Sequence, residues 1–219
     1  MRGLLPLTLS LLLPAAALAQ QGHDDHAAAP KIEGGGVFPA GWQVRPDEGG
    51  TLPEIKIVAM APGWHMTTAA SGIMYRPADQ GAGSYDVTAK LHLFPEGPGH
   101  QEAYGVFIGG KDLAGTGQRY TYFLLRGDGT WKVKRRSGAA TTDVTADWTA
   151  HPAILKESPT GPVANVLLVS VAQGEVRFLV NGQEVWSAPA ASVDAGGVAG
   201  LRLNHNLSVH VETLVVTRR

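Results

Sequence analysis

From Trp42 to the carboxy terminus the chain is written with a period of two. Tyr85–Phe94, YDVTAKLHLF, sets an apolar residue at every second position, as a strand does when one face is buried and the other is solvated. The same reading gives candidate strands at Ile55–Ala59, Gly72–Arg76, Glu102–Ile108, Tyr120–Arg126, Thr130–Arg136, Val163–Val171, Glu175–Val180, Gln183–Ser187, Gly197–Leu203 and Leu207–Val216. Turn residues separate several of them: Gly127-Asp128-Gly129, Gln173-Gly174 and Asn181-Gly182. No apolar stripe of helical period runs longer than a turn or two. Many short strands with glycine-rich turns predict an all-β fold, an antiparallel jelly-roll β-sandwich.

One hairpin fixes its own register. If Gly127-Asp128-Gly129 is a three-residue loop, Arg126 faces Thr130, and Phe123 and Leu125 share a face with Trp131 and Val133. The other face then carries Tyr120, Tyr122, Leu124 and Arg126 beside Lys132, Lys134 and Arg136. A two-residue loop would mix the sets, and a one-residue slip turns every side chain over, so the sorted register is expected. It places two tyrosines among four cations. Such a face either binds a ligand by ring stacking and hydrogen bonding or is a solvated surface of cation–aromatic pairs.

The stretch GLRLNHNLSVHV, Gly200–Val211, poses a second choice. Asn204, His205 and Asn206 join two alternating strands, where asparagines suit a turn closed by side-chain amides and His205 suits the rim of a binding site. His210, between Ser208 and Glu212 on the polar side, is expected to be solvated.

The ends and the composition narrow the class. Met1–Ala19 has Arg2, an apolar run from Leu4 to Leu13 and the small-x-small site Ala17-Leu18-Ala19, the pattern of a signal peptide that predicts export to a periplasm or the medium. Residues 20–40 are expected to be a flexible tail; His23, Asp24, Asp25 and His26 there are either a metal clasp or solvated residues. Residues 41–219 form the single sandwich domain. No later run reaches the roughly 20 apolar residues of a membrane span. The chain has 0 cysteines, which excludes disulfides and thiolate metal sites. With 18 basic and 19 acidic residues it lacks the positive balance of a nucleic-acid binder.

The carboxy-terminal half carries a resemblance. Asn165–Val171, Gly174, Val176–Val185 with its Asn181-Gly182 turn, and Gly197–Arg202 followed by His205 and Val209–Val216 resemble the concanavalin A-like lectin and glucanase superfamily, most closely its 3-keto-disaccharide hydrolase family. The resemblance implies a jelly roll that binds a carbohydrate or glycoside, with Tyr104, Tyr122, Arg126, Lys134, Asn204 and His205 lining the site. His205 falls where that family also has a histidine. The Glu-x-Asp-x-x-Glu run of the glucanases is absent, so their paired-carboxylate chemistry is not expected. Action on a keto sugar would need a base of near-neutral pKa, for which His205 or His92, with Glu102 or Tyr104 nearby, are the candidates. No metal site is expected, the cofactor is left open, and a non-catalytic interaction module of the cell envelope is the third reading. Gly109-Gly110-Lys111 is read as loop, since it lacks the Lys-Ser/Thr ending and the following helix of a phosphate-binding loop.

Overall fold

A computed structural model describes residues 38–97 and 99–219, so the expected signal peptide and the His23–His26 group lie outside the described residues. The strands are β1 Gln43–Pro46, β2 Ile55–Ala59, β3 Trp64–Thr68, β4 Gly72–Gly81, β5 Tyr85–Leu93, β6 Ala103–Lys111, β7 Arg119–Arg126 and β8 Thr130–Ser137. They continue with β9 Ala140–Asp143, β10 Thr149–Ala150, β11 Val163–Ala172, β12 Glu175–Val180, β13 Gln183–Pro189, β14 Gly197–Leu203 and β15 Leu207–Arg218. The first sheet runs β1-β4-β14-β6-β7-β8-β10 with β9 beside β8, and the second runs β13-β12-β11-β5-β15-β3-β2. The chain changes sheet repeatedly, at β1–β2, β3–β4, β4–β5, β5–β6, β10–β11, β13–β14 and β14–β15, the weave of a jelly roll. No helix among the described residues is long and apolar enough to cross a membrane.

The inner faces meet in a core that includes Leu91, Phe123, Val133, Val169, Phe178 and Leu201, each fully buried. Burying one such side chain stabilises the fold by about 1.5–3 kcal/mol relative to leaving it in water. The β7–β8 register is the sorted one: Phe123 lies opposite Val133 and Leu125 opposite Trp131, with Gly127–Gly129 as the loop.

Three expectations need correction. The segments β1, β3, β9 and β10 are strands, although their alternation is too short to announce itself; pairing with β4, β2 and β8 makes them so. Gly109-Gly110-Lys111 belongs to β6. Its glycines mark close approach, since a Cβ on Gly109 would meet the Asp194 carbonyl oxygen at 1.9 Å. His210 is not solvated; it is 7% exposed.

The outward face of the first sheet also departs from the expected platform. Tyr120 and Tyr122 share it with Lys132, Lys134 and Arg136, but the rings belong to a second apolar cluster with Tyr75, Phe107, Leu113 and Leu124. Leu113 comes from the β6–β7 loop, which Arg45 holds by donating to the Leu113 and Gly115 carbonyls, both at 2.6 Å. The face is roofed by its own chain.

Candidate functional site at the loop end of the sandwich

Four connections gather at one end of the sandwich: the β5–β6 loop, the β7–β8 turn, the β14–β15 turn and the segment before β11. Asn204-His205-Asn206 is the β14–β15 turn. Asn206 takes φ +54, a left-handed value that asparagine tolerates, and Thr68 Oγ1 donates to the Asn204 carbonyl at 2.7 Å. The turn in turn holds two side chains against Glu102. Asn204 Nδ2 donates to Glu102 Oε2 at 2.9 Å, and His205 Nε2 lies 3.3 Å from Glu102 Oε1.

Beside this trio opens a cleft of about 540 Å³, walled by Pro95 and Pro159 and offering His100, Gln101, Asp128 and Glu157. A hollow of about 360 Å³ lies on the other side of the turn, lined by Asp47, Glu48, Glu54, Ser71 and His205. In the cleft wall His100 bonds to the Asn206 backbone, its Nε2 is buried without a partner, and burial holds its pKa below the usual histidine value. Glu96 stands behind the wall. Burial, with the Glu157 carboxylate beside it, pushes its pKa up to about 7 despite a bond from the Ser208 backbone. The Glu96 backbone N–H donates to Glu157 Oε1 at 2.8 Å, tying the β5–β6 loop to the segment before β11.

Two asparagines of the resemblance motif place that segment. Asn165, fully buried, accepts from the Leu155 N–H and donates to the Leu155 carbonyl, both at 3.0 Å, and donates to the Tyr104 hydroxyl at 3.1 Å. Asn181 donates to the Ala153 carbonyl and to Asn165 Oδ1, both at 2.8 Å. These bonds fasten 153–155 to the sheet and deliver Glu157 to the cleft two residues later.

The structure therefore brings Glu102, Asn204 and His205 together, with Arg126 at the same end, its guanidinium 3.8 Å over the Trp148 ring. The others are elsewhere. Tyr104 points into the core, 1% exposed, because its position on β6 has inward parity; burial pushes its hydroxyl up to about 12. Tyr122 is buried on the roofed face, with Arg202 5.6 Å over its ring, and Lys134 reaches Asp143 at 3.5 Å farther along β8. His92 lies on the outward face of the second sheet, bonded to Glu212 at 2.8 Å, and so does not join Glu102. Glu96, His100, Gln101, Asp128 and Glu157 are not among the site residues expected from the sequence. For Glu96, His100 and Gln101 the signal is the proline- and glycine-rich loop PEGPGHQ, Pro95–Gln101, which says turn and not site; Asp128 sits in the expected Gly127-Asp128-Gly129 turn, and Glu157 has no local signal. Among the described residues no three His, Asp or Glu side chains are placed to hold a metal ion.

The raised pKa of Glu96 predicts a pH effect. Its ordinary value is 4.5, so between 4.5 and about 7 the folded state binds the proton more readily than the unfolded chain. The resulting stabilisation is complete below that window and is lost as pH rises through it. Glu96→Gln, neutral at every pH, is expected to gain stability over the parent between pH 5 and pH 8, by on the order of 1 kcal/mol at this half-exposed site. Urea unfolding at the two pH values measures it; an unchanged difference between the proteins would mean that Glu96 is ordinarily solvated.

Compared with known proteins, the chain matches no family and no curated protein. Solved structures do match. The carbohydrate-binding module CBM66 from Bacillus subtilis aligns with a TM-score of 0.59 at 9% identity, over 81% of this chain and 95% of that one. A Bacillus subtilis protein of unknown function with a galectin-like fold aligns with a TM-score of 0.59 at 12% identity, over 81% and 89%. The potassium-bound carbohydrate recognition domain of Emp46p aligns with a TM-score of 0.57 at 7% identity, over 86% and 95%. At these identities the likeness shows the fold, a concanavalin A-like sandwich. It does not reach the 3-keto-disaccharide hydrolase family.

Proposed function

We propose that the protein is an exported carbohydrate-binding domain whose ligand sits in the cleft between the β5–β6 loop and Glu157. The observation that carries this reading is the cleft's make-up. Proline rings offer flat apolar surface to the C–H face of a sugar ring, while two carboxylates and an amide, from Asp128, Glu157 and Gln101, converge from the sides to meet hydroxyls and the His100 ring forms part of the wall. Hydroxyls donating to Glu157 or Asp128 would form charge-assisted hydrogen bonds, stronger than neutral ones. Glu102, Asn204 and His205 brace the adjoining turn. The reading also draws support from two fold neighbours that are named as a carbohydrate-binding module and a carbohydrate recognition domain.

The test is a panel of neutral saccharides, uronic acids and 3-keto glycosides titrated calorimetrically into the purified protein. His100→Ala and Glu157→Gln are each expected to weaken the bound sugar at least tenfold, about 1.4 kcal/mol, with the urea midpoint little changed. Binding that neither substitution alters would place the ligand elsewhere; no binding to any saccharide would leave the envelope interaction module as the better reading.

A second reading, turnover of a 3-keto glycoside, is favoured by one feature: Glu96 near neutrality and the free imidazole nitrogen of His100 stand at one loop. Release of free 3-keto sugar, lost in His100→Ala, would establish it in place of simple binding.

A further inference from the structure

Three imidazoles stand in one row across the outward face of the second sheet. His65 on β3 lies opposite His210 on β15, and His210 lies opposite His92 on β5. The His92 and His210 ring centroids are 5.3 Å apart. Directly opposed residues on antiparallel strands are close enough for a charge on one ring to act on the next. At the β5 end the row is balanced, since Glu212 takes His92 Nε2 at 2.8 Å and Lys90 Nζ at 2.8 Å. At the β3 end it is not. His65 faces Ser208 Oγ, the Phe94 ring and, on β2, Val58; His210 faces the two other imidazoles, Glu212 along its own strand and the backbone at Pro62 and Trp64. The Nδ1 atoms of His65 and His210 are both buried without a hydrogen-bond partner. A proton added at His65 Nδ1 would have no acceptor, while His210 has the backbone at Pro62 and Trp64 beside it; a charge on either ring would stand beside another imidazole.

The same end of the row is joined to the cleft. Ser208 Oγ lies 3.0 Å from His65 Nε2, and the Ser208 carbonyl accepts the Phe94 N–H at 2.9 Å. The Ser208 backbone also bonds to the Glu96 carboxyl. The Phe94 ring packs edge-on against His65 with centroids 4.7 Å apart. Phe94 is where the chain leaves β5 for the loop that walls the cleft.

We propose that this histidine row is a proton-operated latch on the cleft: the neutral ring of His65, with His210 beside it in the row, holds Ser208 and Phe94, and with them the β5–β6 loop, and protonation there releases the loop. What the loop does for a ligand rests on the carbohydrate reading above; the latch itself does not. Burial lowers the pKa of both histidines, and each is lowered further by a neighbouring imidazole. The unfolded chain therefore binds these protons more readily, and the latched state is intact above the ordinary value of 6.5 and fails as pH falls below it.

The experiment follows the backbone amides of Phe94, Glu96 and Ser208, with the imidazoles of His65 and His210, by nuclear magnetic resonance of the purified protein from pH 8 to pH 5. The expected result is a displacement of all three amides with one midpoint below 6.5, shared with the imidazoles, and abolished in His65→Gln. His210→Gln should abolish it too; if that nearly buried site does not tolerate the change, the half-exposed His65 decides the matter. Glu96→Gln separates the other titrating group of the loop and is expected to leave the displacement in place. Amides that follow a midpoint near 7 and fall silent in Glu96→Gln, or that move identically in His65→Gln and the parent, would overturn the latch. A saccharide bound at pH 7.5 should lose about tenfold in affinity at pH 5 in the parent and not in His65→Gln. Absence of saccharide binding at every pH would count against the cleft's ligand, while the amides would still decide the latch.

Discussion

Asp47→Ala is expected to cost the fold about 3 kcal/mol, seen as a fall in the urea midpoint, because it strands a buried guanidinium. Arg202 is 7% exposed and is held by two parallel bonds, Nη1 to Asp47 Oδ1 at 2.8 Å and Nη2 to Oδ2 at 2.7 Å. Its guanidinium lies over Tyr122, beside the second apolar cluster, and is itself nearly buried, so solvent replaces the carboxylate only in part. The estimate takes the low end for a broken buried pair because a quarter of the Asp47 side chain reaches solvent. Asp47→Ala combined with Arg202→Met is expected to recover part of the loss, since an apolar chain of similar length needs no partner. If the double variant were no better than Asp47→Ala, the carboxylate would be acting on the loop and not on the charge. Burial works to raise the Asp47 pKa, but Arg202, helped by Arg136 and Arg45, holds it below 3.8. The contribution is thus complete above that value and is lost only as pH falls through the lowered one.

Asn165→Leu is expected to be of the same size, about 3 kcal/mol, and to reach the site as well. Leucine fills much of the volume but leaves the Leu155 N–H and carbonyl, the Tyr104 hydroxyl and one Asn181 amide hydrogen without their partner. Each buried polar group left unmet costs about 1–3 kcal/mol, and those near the surface recover some of it from water. Since the lost bonds fasten 153–155, Glu157 should lose its fixed place and saccharide affinity should fall together with stability. Glu157→Gln, by contrast, should lower affinity alone. A stable Asn165→Leu variant would show that Asn181 suffices to hold the segment.

These two predictions mark the limit of what alternation can tell. The apolar side of β7 and β8, the three-residue turn between them and the sandwich class follow from a period of two, because only one register sorts Phe123, Leu125, Trp131 and Val133 from the polar set. That set was legible too, but not its fate. Whether Tyr122 meets solvent depends on Leu113, Asp47 and Trp148, which come from distant parts of the chain. Inward parity could have withdrawn Tyr104 from the site, had β6 been oriented against its neighbours from Val106 and Ile108.

The site divides in the same way. Asn204 and His205 were legible because a polar triplet interrupts two alternating strands, and Glu102 because it opens one. His100, Glu157 and Glu96 were not, since nothing local distinguishes a glutamate that a second loop desolvates from one on an open surface. The histidine row was hidden for a related reason: His65, His92 and His210 are far apart in sequence, and only the β3-β15-β5 order aligns them. The sequence by itself determined the strand periodicity, the turn chemistry and hence the class of fold, all of which are set by neighbours a few residues away. The tertiary structure alone decided which faces are roofed, which polar groups converge and which carboxyl is pushed towards neutrality. Those properties depend on solvent exclusion and on charges brought together across sheets, and no short stretch of the chain contains them.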